Sequence, residues 1–174
     1  MHSGINAEDF TWNNQYKHND LSKTTMKEIK KIATAENFTA VSVGKLNELD
    51  DYVLELTPEI KIPGKVFCGA SLRTTGSEFS FQMFQPKTET GFLHTHKSHE
   101  ELYFFLSGTG EFQVDGKVFP ISEGSVVRVS PAGKRSVRNN GTMPLIMLCI
   151  QYQENTFMKE DAADGNILNE PVKW

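Results

Sequence analysis

Two imidazoles one residue apart, His94 and His96, and a carboxylate five positions further on, Glu101, are the residues here whose types and spacing point most directly to chemistry. Alternate side chains of an extended strand share a face, so His94-Thr95-His96 presents both rings on one side, a few ångströms apart. Paired imidazoles chelate divalent first-row ions, and the spacing alone leaves iron, manganese, zinc, nickel and copper open. Behind the pair, a short charged turn leads into the apolar run Leu102-Tyr-Phe-Phe-Leu106. Strand parity separates Glu100 from Glu101 and puts Glu101 on the face of Tyr103 and Phe105. If that face turns inward, the carboxylate arrives beside the two imidazoles. The competing reading of the same letters is a surface His-x-His followed by a solvated Glu-Glu edge.

The elements that must position these groups read as strands. Short apolar or alternating runs cover 79–84, 101–106, 110–114, 117–121, 126–129, 136–138 and 145–152, separated by turn residues. Asp115-Gly116 between two such runs is a hairpin signal, because a type I′ turn needs positive φ at both central residues; Asn140-Gly141 reads as a second turn of this kind. Helix is confined to short pieces near 25–32, 45–51 and 159–163. Many strands with frequent tight turns predict an all-β sandwich or barrel. Residues 1–25 are polar and without a period, but carry Phe10, Trp12 and Tyr16; they are expected to be an extension or an arm that packs on a partner subunit. Residues 26–174 then form one domain with its core at about 65–152.

The stretch around His94 resembles the first motif of the cupin superfamily: His94, His96, four residues, Glu101, six residues, Gly108. The family's leading glycine falls at Thr88, with Gly91 nearby. After a short spacer, Gly124, Pro131-Ala-Gly133, Ser136 and Asn140 follow the second motif except at one position. The resemblance covers about residues 79–151 and implies a double-stranded β-helix, or jelly-roll, barrel. It also implies one bound divalent metal ion held by His94, His96 and Glu101. Where the four-ligand form of the family has its last histidine, this chain has Ser136. A hydroxyl is a poor ligand for a borderline ion, so Ser136 is expected to touch substrate or, replaced by His, to complete the ligand set. Gln82, His99, Met147, Cys149 and Gln151 are the other candidates for a fourth ligand. Arg135 and Arg138 flank position 136 and read first as solvated strand charges, second as groups meeting an anionic substrate.

Composition narrows the function classes. The chain has 174 residues and a formal net charge of −4, with no long basic run, so a nucleic-acid grip is not expected. No apolar run reaches the roughly 18–20 residues that span a bilayer. Cys68 and Cys149 stand apart without a C-x-x-C pair and read as buried free thiols. With no secretory pattern at the start, the expected location is cytoplasmic. Three functions compete: a metal-dependent enzyme of dioxygenase, isomerase or lyase type acting on a small organic molecule, a non-catalytic small-ligand module, and a sensing domain. The last is disfavoured because the flanks show no helix-turn-helix pattern. An unpaired Glu101 beside buried rings would be costly without an ion, which favours the enzyme. The family resemblance also implies a homodimer.

Overall fold

A computed structural model of the chain describes residues 27–174, so the arm expected over 1–25 lies outside the described residues. The described residues open with a hairpin of β1 (Lys30–Ala35) and β2 (Phe38–Ser42) and a 3-10 turn at Leu46–Asp51. Three short strands follow: β3 (Val53–Glu55), β4 (Lys61–Pro63) and β5 (Lys65–Phe67). The longer strands are β6 (Ser77–Phe84), β7 (His99–Ser107), β8 (Thr109–Val114), β9 (Lys117–Ser122), β10 (Val126–Val129), β11 (Arg135–Arg138) and β12 (Leu145–Gln153).

Two antiparallel sheets make the jelly roll, one ordered β10-β7-β12-β6-β5 and the other β11-β8-β9. Phe84, Tyr103, Phe105, Phe112, Ile121, Val129, Val137, Leu145, Met147 and Cys149 fill the space between them. The period of two explains the double burial of β12. Leu145, Met147 and Cys149 face the second sheet, while Ile146 faces out, where Val43, Leu49, Tyr52, Val66, Cys68 and Met83 cover it. The ladder does not run round into a closed ring among the described residues. Instead, the segment between β6 and β7 lies along β11 through bridges Glu89–Arg138 and His94–Arg135.

Three local expectations meet different outcomes. Asp115 and Gly116 have φ of 50° and 82°, as a type I′ hairpin requires, and join β8 to β9. Asn140-Gly141 is not such a turn: β11 and β12 lie in different sheets, so 139–144 is a crossing between sheets, and neither residue has positive φ. The helix expected near 25–32 is replaced by β1 from Lys30 onward, because Lys30-Lys-Ile-Ala-Thr-Ala35 finds a partner strand in Phe38–Ser42 across a tight turn. Pairing with the neighbouring strand outweighs the helical propensity of the lysines, since propensity is only a weak bias.

Candidate metal centre

His94 and His96 sit in the extended segment before β7, not in a regular strand. Backbone bonds to the opposite sheet hold it: His94 N–H donates to Arg135 O (3.4 Å), Arg135 N–H to His94 O (3.2 Å) and His96 N–H to Pro131 O (2.9 Å). The two rings therefore project together, their centroids 5.5 Å apart and planes perpendicular. Glu101 comes from the facing sheet, on the inner side of β7 with Tyr103 and Phe105, and is 2% exposed. His96 Nε2 lies 3.2 Å and His94 Nε2 3.8 Å from its two carboxylate oxygens. One donor atom from each of the three residues lies within 4.8 Å of the others. Gly108, seven residues on, turns the chain from β7 into β8 with φ of 84°; a Cβ there would strike Pro144 O and Leu145 Cα.

Burial suits the His94 imidazole to act as a ligand. Burial, with Arg135 and His96 nearby, pushes His94 down to about 4 against the pull of Glu101, so the ring is neutral near pH 7. His94 Nδ1 and His96 Nε2 are buried without a hydrogen-bond partner; the His96 contact with Glu101 is close but not aligned as a hydrogen bond. Burial works against the charge on Glu101, but His96, Tyr103 and Arg135 outweigh it and hold the carboxyl well below its usual range.

Arg135 is the site residue that the motif comparison misplaced. It is 0% exposed, not a solvated strand charge, and its Nε donates to Glu101 Oε2 at 2.8 Å. Its Nη1 donates to the carbonyls of Gly133 (2.7 Å), Pro131 (3.2 Å) and His94 (3.4 Å). Tyr103 OH also donates to Oε2, while Gln151 Nε2 (3.0 Å) and Cys149 Sγ (3.5 Å) reach Oε1. Glu101 is thus far from unpaired and, contrary to expectation, needs no ion to compensate its charge. The imidazoles and the carboxylate fit a divalent ion by donor type and spacing, and such an ion would compete with Gln151 and Cys149 for Oε1.

Ser136, expected to face the site, does not. On β11 Arg135 and Val137 point inward, while half-buried Ser136 lines a surface hollow with Glu111, Gln113 and Arg138. The same shift moves the motif asparagine from exposed Asn140 to Asn139, which is buried and bonds Phe84 O (2.9 Å), Met143 O (2.8 Å) and Gly141 N–H (2.9 Å). Strand parity ties 135, 137 and 139 to one face, but periodicity alone does not say whether that face or the one carrying 136 turns inward. Arg138 pairs on the outside with Glu111. Among the other candidates, Cys149 and Gln151 touch Glu101, Met147 packs in the core, and Gln82 accepts a bond from Lys65. His99 is exposed at the start of β7, its ring 6.0 Å from that of His96, and is not in the three-residue group. Both cysteines are free and buried.

Residues 80–151 match the cupin domain family. The chain carries a cupin domain. A solved cupin protein from Bacteroides fragilis is 29% identical, with a TM-score of 0.57 over 66% of this chain and 94% of its own. The oxalate-binding protein of Thermotoga maritima is 32% identical over 72 residues, 41% of this chain and 59% of that protein. An uncharacterized protein of Methanocaldococcus jannaschii is 33% identical over 60 residues, 34% and 48% of the two. This cupin chain therefore spans 48–59% of the length of these curated relatives. The matched segment contains His94, His96, Glu101 and Arg135, so the site lies wholly within the cupin domain.

Proposed function

We propose that this cupin binds one divalent metal ion through His94, His96 and Glu101 and acts on a small organic molecule as a metal-dependent enzyme of the dioxygenase, isomerase or lyase type. The observation that carries this reading is the convergence of the three donor groups within 4.8 Å, with an unpartnered buried nitrogen on each imidazole. An ion there would supply Lewis-acid polarisation of a substrate oxygen. The chain's own contribution is orientation. Arg135 and Tyr103 fix Oε2 of Glu101, and the His94–Arg135 backbone pair fixes the first imidazole, so little needs to move for the donors to meet.

One observation favours the second reading, a non-catalytic small-ligand module: Arg135 already balances the charge of Glu101 without an ion. Elemental analysis of untagged protein, beside His94→Ala and Glu101→Gln preparations, separates the two. The enzyme reading expects near-stoichiometric metal in the parent and about tenfold less in both variants, since loss of a ligand removes a large share of the affinity. Metal absent from all three, even after reloading, gives the protein to the binding module.

A further inference from the structure

The outer face of the five-stranded sheet is only half covered. Backbone register aligns Val126, Phe104, Leu148, Phe81 and Val66 in one row across β10, β7, β12, β6 and β5. The next row holds Arg128, Leu102, Ile150 and Phe79. Alternate residues of a strand share a face, so both rows look away from the jelly-roll core. At the β5–β6 end, Val66 is buried in the second apolar cluster, and Phe79 and Phe81 pack against it. Towards β10 the cover stops. Leu102, Phe104, Leu148 and Ile150 are half-buried and outside both clusters, and Val126 is 57% exposed. Glu100 and Arg128, the charges at the margin, pair with each other, so the patch brings no unpaired charge to a partner.

A second apolar surface of the same chain is open as well. Past β12 the backbone turns at Asn155, with φ of 60°, and residues 155–174 are exposed throughout. Phe157, Met158, Ile167, Leu168, Val172 and Trp174 all lie on this arm, each at least 57% exposed. A lone exposed apolar side chain is ordinary, but six on one short arm mark an interaction surface. Burying such a side chain removes on the order of 100 Å² of apolar surface from water. Two arms seated on two faces therefore reach the roughly 1,600 Å² that a standard-size interface buries. Within one copy, arm and face both stand open, so neither covers the other.

We infer that the arm 155–174 of one copy lies across the open half of this sheet face in a second copy, and that the second arm returns the contact. A two-fold exchange uses the same two surfaces twice and closes on itself, leaving neither open. Apolar burial drives it, since the patch has no free charge to match. Glu101 belongs to the opposite face of β7, so the inference stands apart from the metal reading.

Light scattering of the full chain is expected to give about twice its mass of 19.6 kDa. Two variants probe the two surfaces: Ile167→Ser/Leu168→Ser/Trp174→Ser on the arm and Val126→Lys on the face. Each is expected to weaken self-association about tenfold or more. All four positions are exposed, so the variants retain the fold, which circular dichroism checks. A further variant, Val126→Cys/Leu168→Cys, locates the contact, because Cys68 and Cys149 are buried and leave the new thiols to react. Treated in the native state with a flexible bismaleimide, it is expected to run as a covalent dimer on a denaturing gel. Linkage within a single chain would mean that the arm folds back on its own sheet, and overturns the inference. So does a monomeric parent chain, a dimer weakened by only one or by neither of the surface variants, or the absence of any linkage.

Discussion

At the scale of single residues, the informative substitution is the arginine at the position facing the two imidazoles. A guanidinium 2.8 Å from Glu101 does in the metal-free protein what an ion would do, neutralising a carboxylate that is 2% exposed. It would also repel an approaching cation, so Arg135 is expected to weaken metal binding at this site. Replacing Arg135 with His removes the partner of a buried charge and supplies a third imidazole as a fourth ligand. Metal-free Arg135→His is expected to lose about 3 kcal/mol of stability, as broken buried ion pairs do. Its zinc affinity is expected to rise about tenfold or more, with zinc restoring the lost stability. Ser136→His, on the outer side of β11, is expected to leave both quantities near the parent values. Calorimetric zinc titration and urea unfolding of the two variants check this, and tighter zinc binding by Ser136→His would return the fourth place to position 136.

At the scale of elements, the site depends on how β7 leaves and β8 begins. β7 brings Glu101, Tyr103 and Phe105 to the inner face, and Gly108 then reverses the chain where Pro144 and Leu145 leave no room for a Cβ. Gly108→Ala combines a left-handed φ of 84° with that backbone clash. A destabilisation of about 2 kcal/mol or more is expected, read as a lower urea midpoint with the slope unchanged. The same reasoning separates the two Gly-containing turns. Asp115-Gly116 joins neighbours in one sheet and adopts the hairpin geometry its letters suggest. Asn140-Gly141 joins strands of different sheets, so its letters serve a wider crossing, fastened by Asn139.

For the whole molecule, the five-stranded sheet is the organiser: one face carries the polar row and core of the jelly roll, the other a second apolar cluster under the N-terminal segments. Although β2 packs near the turn at Gly69–Leu72, among the described residues the β1–β2 hairpin belongs to neither sheet. It pairs only with itself and leaves Ile32 67% and Phe38 54% exposed. A two-stranded ribbon with open edges and exposed apolar side chains is marginal by itself and favours a further strand or surface. A homodimer is accordingly expected, with light scattering giving about twice the chain mass of 19.6 kDa. Replacing Ile32 and Phe38 together with Ser is expected to shift it toward the monomer; a monomeric parent protein would remove the expectation.

Periodicity and motif spacing together determined the strand-rich fold, the three potential ligands, the face that Glu101 shares with Tyr103 and Phe105, and the Asp115-Gly116 hairpin. Each depends on local rules: period two, turn chemistry and short spacings. Only the tertiary structure decided that Arg135 and not Ser136 faces the imidazoles, because a motif can be counted in two registers one residue apart and each register sends the opposite side chains inward. It also decided that Glu101 is compensated. Position 135 lies 34 residues from 101 along the chain, and only the packing of the three-stranded sheet against the five-stranded one brings their charges together.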